Sequence, residues 1–262
     1  MNLFLRLIGV TIPTIIILCI WRLCFPFTDF AFFALTPIFV VLLVSSYKVH
    51  FLVNKHIYTL AIKHESQLKN ILSGRLSACC RALLFSSGAT FTIAYVSISL
   101  DIINSKILIF SVLFGFFISL IYSNYISKHL NPPYSDYLGI KSMSYFLSLL
   151  LVGSLAQQSW AQETYSVSLM DANFLNALLI GIKNAPKHSE GSMIAEVLAP
   201  LYAYDAFKFW AVNKLGGSFI FKILLSIDSA IVGVLLAKSI ISVSFFFNIN
   251  KDNIGRLKNE YS

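Results

Sequence analysis

The stretch from residue 218 to residue 248 constrains this chain most, because it is apolar and long enough to cross a lipid bilayer. A helix of about 20 apolar residues spans the hydrocarbon layer, which is ~30 Å thick. This stretch nevertheless contains Lys222, Asp228 and Lys238. An ionisable side chain at membrane depth is costly unless it faces a partner or water, so these three residues are the first candidates for a functional site.

The composition of the whole chain indicates the same class of protein. Of the 262 residues, 57% are hydrophobic and 12% are charged, whereas a soluble domain is about 45–50% apolar and about 25% charged. Too little polar surface remains to cover a particle in water. We therefore predict an all-α fold: a polytopic transmembrane helical bundle with about six spans and an outer helical cap segment, surrounded by the lipid bilayer.

Apolar runs and polar segments divide the chain into regions with different predicted roles. Those that cross the membrane are a first transmembrane hairpin (1–47), spans three to five (82–160), and the last helix with a basic cytoplasmic tail (217–262). The two that lie outside the bilayer are a cytoplasmic basic amphipathic segment (48–81) and an extracytoplasmic segment with interfacial helices (161–216).

The distribution of Lys and Arg predicts the orientation of the spans. Residues 48–81 carry six Lys or Arg against one acid, whereas residues 162–216 carry four against five acids. Because Lys and Arg collect on the cytoplasmic side, six spans place both termini in the cytoplasm. A seventh span through residues 193–212 is the alternative; it would bury three charged side chains and reverse the last helix.

The predicted location is a bacterial inner membrane; the lack of an N-x-[ST] glycosylation sequon favours the bacterial source. The net charge of +8 is explained by the basic cytoplasmic segments. No basic segment carries the interleaved aromatic residues of a single-strand nucleic-acid surface, so we expect no nucleic-acid partner.

Catalytic motifs are missing from the sequence. It contains no G-x-S-x-G, Walker loop, H-E-x-x-H or G-x-G-x-x-G. The basic segment contains three histidines, His50, His56 and His64, at spacings of six and eight residues. These spacings do not place all three on one helical face, so we interpret them as polar residues at the level of the lipid headgroups rather than as metal ligands. We expect no metal, no cofactor and no enzymatic activity. A weaker alternative is a lipid-modifying enzyme that uses His188, Glu190 and Asp205 of the outer segment.

Small residues in the last span predict close packing against another helix. Ser229, Gly233 and Ala237 are four residues apart and form a small-xxx-small seam. Asp228 lies beside this seam. The predicted role of the seam is therefore helix packing within the bundle.

Asp228 has two interpretations. It is six residues from Lys222 and ten from Lys238, so neither lysine is an i,i+4 partner and both are predicted to reach opposite membrane interfaces as anchors. Asp228 then lies close to the middle of the bilayer. Its carboxyl group either bonds to a neighbouring span and stabilises packing, or serves as a protonatable or cation-binding group on a translocation path.

Two classes of function follow from these observations. The first is a non-enzymatic accessory or assembly subunit of a larger membrane system, of the conjugative transfer, secretion, immunity or defence type. Such a subunit would act through helix packing and contacts with a membrane protein partner or a second copy of itself. The alternative is a small channel or ion-coupled transporter with Asp228 as its intramembrane protonatable group.

Overall fold

The computed structural model describes residues 3–25, 27–61, 74–99, 102–130, 134–161, 169, 172–185, 192–214 and 219–260. Within these ranges the chain is helical and contains no strand. The predicted all-α class is confirmed for this part of the chain.

Eight α-helices and one 3₁₀ helix make up the described ranges. In chain order they are α1 (Leu3–Cys24), the 3₁₀ helix (Asp29–Leu35), α2 (Thr36–Ala61), α3 (Arg75–Ser99), α4 (Ile102–Ile126), α5 (Tyr134–Ala161), α6 (Phe174–Asn184), α7 (Met193–Lys214) and α8 (Phe219–Glu260).

Four helical stretches in the described ranges are long and apolar enough to cross a membrane: Asp29–Lys55, Arg75–Ile98, Ile109–Ile126 and Ser229–Phe246. Two shorter apolar stretches lie in α1 and α6 (Thr11–Cys24 and Phe174–Asn184). The length and apolarity of the four helices support the predicted membrane protein. The count of six spans, which also requires α1 and α5, stays a prediction.

The predicted basic segment 48–81 is partly built from the ends of two long helices. Helix α2 continues to Ala61 and α3 begins at Arg75, while residues 62–73 lie outside the described residues. The helices extend further than the apolar runs because Lys, Arg and His side chains at a helix end can reach polar surroundings without interrupting the backbone hydrogen bonds.

Helix α8 lies at the centre of the bundle. It contacts α5 most extensively and also packs against α4, α2, α3, α1 and α7. Its buried side chains belong to a core shared with Trp21 of α1, Leu42 of α2 and Phe116 of α4. Because lipid tails are as apolar as these side chains, close van der Waals contact rather than exclusion from water holds such helices together.

Glycines allow α5 and α8 to approach closely. A Cβ atom at Gly233 of α8 would lie 2.9 Å from Cγ2 of Val152, and one at Gly139 of α5 would lie 2.7 Å from Cζ of Phe245. These two contacts pair the earlier half of each helix with the later half of the other, so α5 and α8 are antiparallel. The side chains of Val152 and Phe245 occupy the space that a larger residue would need.

Helices α2 and α3 are also antiparallel. Phe32, just before α2, contacts Phe91 in the later part of α3 with 6.0 Å between ring centroids. At the other end, the Arg75 guanidinium lies 5.8 Å from the centroid of the Phe51 ring. We call this second end, where α2 finishes and α3 and α5 begin, the basic end of the bundle.

Helices α6 and α7 form a pair with a small core of their own, made by Leu169, Ala172, Ala177 and Ala206. The pair crosses closely at Gly181, where a Cβ atom would lie 2.5 Å from the carbonyl oxygen of Tyr202. The indole N–H of Trp210 donates to the Ala172 carbonyl at 2.8 Å. Through Ile194 and Leu198, α7 also joins the main core.

Candidate functional site: a basic cavity inside the bundle

The predicted packing seam of α8 faces the interior of the bundle. Ser229 and Ala237 are buried, and Gly233 packs against Val152 of α5. The seam therefore lies at the contact between α8 and α5.

The ionisable residues of α8 have different places in the structure. Lys222 and Asp228 belong to the helix, but their side chains lie outside the described residues. The role predicted for Asp228 stays a prediction. Lys238 is described, and its side chain is partly buried within the bundle.

The Lys238 amine contacts an aromatic ring of a neighbouring helix. Its Nζ atom lies 4.2 Å from the centroid of the Phe85 ring of α3. An ammonium group over an aromatic face gains about 0.5–2 kcal/mol from the ring quadrupole, with the larger value at sites removed from water. The side chain predicted to be an interface anchor thus points across the interior toward α3.

Lys238 also lines a cavity of about 230 Å³ between α2, α5 and α8. The lining residues recur at helical spacing on one face of each helix, which is why three helices suffice to enclose the space. They are Ser46, Val49 and His50 of α2; Tyr137, Ile140, Lys141, Ser144 and Tyr145 of α5; and Val234, Lys238 and Ser242 of α8.

The lining of this basic cavity combines cationic and hydroxyl groups. Lys238, Lys141 and His50 supply nitrogen atoms, and five hydroxyl-bearing residues accompany them, whereas no Asp or Glu is among the lining residues. Such a lining favours an anion over a cation.

The exposure of the lining residues indicates where the cavity opens. The His50 and Tyr137 rings meet edge to face, with 6.4 Å between centroids. Lys141 and Tyr145, one helical turn apart on α5, are exposed, whereas Lys238 lies deeper. The cavity therefore opens beside Lys141 and Tyr145 and reaches inward to Lys238.

Ser46 is a lining residue whose buried hydroxyl lacks a hydrogen-bond partner in the described part of the chain. Its side chain is 6% exposed, and its Oγ atom has no hydrogen-bond partner among the described residues. The adjacent Ser45, in contrast, donates to the Ser242 carbonyl at 3.0 Å. A buried hydroxyl without a partner costs about 1–3 kcal/mol, so a ligand that reached this wall and accepted the Ser46 hydrogen bond would be favoured.

Of the outer-segment residues predicted for the weaker enzyme alternative, the structure describes Asp205. His188 and Glu190 lie outside the described residues. The Asp205 carboxylate is 2.5 Å from Nζ of Lys208, one helical turn further along α7. Across the described ranges, no three His, Cys, Asp or Glu side chains converge as a metal site would require.

Sequence reasoning missed the convergence of α2, α5 and α8. The spacing of Val234, Lys238 and Ser242 is a local signal that these residues share one face of α8. Ser46 and Lys141, however, belong to helices far away in the sequence. Only the rotation of each helix about its axis brings them to the same cavity.

Comparisons with protein-family models, curated proteins and solved structures find no match to this chain.

Proposed function

We propose that the chain is a multi-pass protein of a bacterial inner membrane with six spans and both termini in the cytoplasm. Helices α1 and α5, of 22 and 28 residues, reach ~33 and ~42 Å at ~1.5 Å per residue, enough to cross the hydrocarbon layer. The excess of Lys and Arg in residues 48–81 supports the orientation. In this arrangement α6 and α7 form the outer cap segment.

We infer that this protein acts without catalysis, as an accessory or assembly subunit of a larger membrane system such as conjugative transfer, secretion, immunity or defence. The observation that carries this proposal is an exposed aromatic surface where α1 turns into α2. It consists of Phe27, Phe30 and Phe33, whose side chains are 82%, 75% and 67% exposed. We call these three residues the aromatic ridge.

The aromatic ridge is held in a defined shape. The Phe30 and Phe33 rings stack with 6.2 Å between centroids. Thr28 caps the 3₁₀ helix by accepting a hydrogen bond from the Phe30 amide at 3.2 Å, while Ala31 and Leu35 anchor the opposite face in the core. Aromatic side chains that are already ordered lose little entropy on binding, which suits them to contact a membrane protein partner.

A photo-crosslinking amino acid at position 30 of the full-length chain tests this function in native membranes. The matched control is position 149, because Leu149 is 74% exposed and belongs to a different helix, α5. We expect one discrete adduct with another protein from position 30 and lipid adducts alone from position 149. An adduct of twice the chain mass would indicate a second copy instead. Lipid adducts alone at both positions would contradict a protein partner.

A second candidate is a small channel or ion-coupled transporter that uses Asp228. The observation that favours it is the polar character of α8, the helix that carries Asp228, since the same helix lines the basic cavity with Lys238 and Ser242. Polar groups that continue along one interior helix are a feature of translocation paths.

A further inference from the structure

We propose that the basic cavity between α2, α5 and α8 binds a phosphate group, which either an anionic lipid headgroup or free phosphate can supply. This inference concerns a binding site and does not depend on whether the chain contacts a protein partner. Its first support is charge: Lys238 and Lys141 line the cavity without a carboxylate among the lining residues. A negatively charged ligand would neutralise this positive charge.

Hydrogen-bonding capacity is the second support. Ser46 lines the cavity, and its hydroxyl is buried and lacks a partner among the described residues. A phosphate oxygen accepts hydrogen bonds from hydroxyl and ammonium donors alike, so one ligand could satisfy Ser46 together with Lys238. A neutral ligand would satisfy the hydroxyl but leave the lysine without a counter-charge.

The size and access of the cavity are the third support. Its volume of about 230 Å³ is many times the ~10–15 Å³ that a single water needs, and leaves room for a phosphate with bridging waters. The exposed Lys141 and Tyr145 stand at the opening. A lipid headgroup could thus enter from the side of the bundle while its acyl chains stay in the bilayer.

The position of the cavity agrees with a headgroup ligand. Tyr137 lies in the first turn of α5, so the cavity is close to the basic end of the bundle. Basic pockets between spanning helices on the cytoplasmic side are known sites for anionic headgroups. In the proposed topology, the basic end is the cytoplasmic end.

The test measures binding of two lipids with identical acyl chains to the purified full-length chain in detergent: phosphatidylglycerol, which carries a phosphate, and diacylglycerol, which does not. We expect saturable binding of phosphatidylglycerol and at least about tenfold weaker binding of diacylglycerol, as expected for loss of charge-assisted hydrogen bonds. Equal affinity for the two lipids would overturn the proposal.

Substitutions then locate the site. Lys238→Met should weaken phosphatidylglycerol binding by about tenfold or more, whereas Lys128→Met, at an exposed lysine just after α4, should change it less than about twofold because exposed charges are screened. Equal losses in the two variants would indicate surface attraction only and would overturn the site.

A second variant keeps the test decisive if Lys238→Met does not fold. Ser46→Ala removes only a hydroxyl that lacks a partner in the described structure, so the chain should keep its thermal stability while its affinity for phosphatidylglycerol falls about threefold or more. Unchanged affinity in Ser46→Ala would overturn the proposal. Inorganic phosphate distinguishes the two sources: displacement of the lipid at millimolar concentration assigns the site to free phosphate, and retention assigns it to the headgroup.

Discussion

The Asp29 carboxylate accepts a hydrogen bond from the Ser192 hydroxyl at 2.7 Å, across 163 positions of the chain. The same carboxylate accepts from the backbone amides of Met193 at 3.0 Å and Ile194 at 3.3 Å. The first residue of the 3₁₀ helix therefore caps the N-terminus of α7. The negative charge of Asp29 also lies next to the positive, N-terminal end of the α7 dipole, which is a favourable interaction.

We expect Asp29→Ala to loosen α7 from the bundle. Loss of an N-cap costs about 0.5–2 kcal/mol, and the three donors would be left without this acceptor. Hydrogen exchange of the α7 amides should accelerate in Asp29→Ala and change less in Asp29→Asn, which keeps an acceptor oxygen. Glu196→Gln is the matched control, because Glu196 is an exposed acid in the first turn of the same helix. Equal acceleration in Glu196→Gln would show that charge rather than capping matters.

The close contact of α5 and α8 predicts opposite effects for two glycines. Gly233→Ala would place a Cβ atom 2.9 Å from Cγ2 of Val152, and such overpacking costs about 1–3 kcal/mol. Gly153→Ala is the control, since its Cβ would meet no atom within 4 Å and alanine favours a helix by up to ~1 kcal/mol. Equilibrium unfolding in mixed micelles should therefore rank Gly153→Ala at or above the native chain and Gly233→Ala below it. The reverse order would contradict the packing at Val152.

The transporter alternative makes a sharp prediction for Asp228. If the carboxyl group is a translocation group, Asp228→Asn should abolish flux in proteoliposomes while the thermal stability stays unchanged. Lys222→Met, on the same helix, should retain flux because Lys222 is predicted to be an interface anchor. A variant Asp228→Asn that loses stability and flux together would identify Asp228 as a packing residue instead.

The proposed topology can be tested by cysteine labelling in whole cells. In a chain whose native cysteines are replaced by serine, a cysteine at position 189 should react with a membrane-impermeant maleimide. A cysteine at position 63 should react only after the membrane is opened. A seventh span through residues 193–212 would leave position 189 outside and move the C-terminus outside too, so labelling of a cysteine at position 262 distinguishes the two topologies.

The all-helical, membrane-like class of this protein can be predicted from the sequence alone. Long apolar runs with few charges can form only helices in lipid, because the bilayer offers no hydrogen-bond partners to an open backbone. The small-residue spacing of Ser229, Gly233 and Ala237 likewise predicts a packing face, and Ser229 and Ala237 are buried in the structure. Both inferences depend on local properties of the chain, which a sequence displays directly.

The position and lining of the basic cavity, in contrast, depend on the tertiary structure. A spanning helix such as α8 is apolar on nearly all its faces, so periodicity does not distinguish the side toward lipid from the side toward the core. Lys238 could therefore be read as an interface anchor, and His50 as a headgroup-level residue. Packing at Gly139 and Gly233 sets the rotation of α8 against α5. That rotation, which no local pattern encodes, brings Lys238 to the same cavity as Ser46 and Lys141.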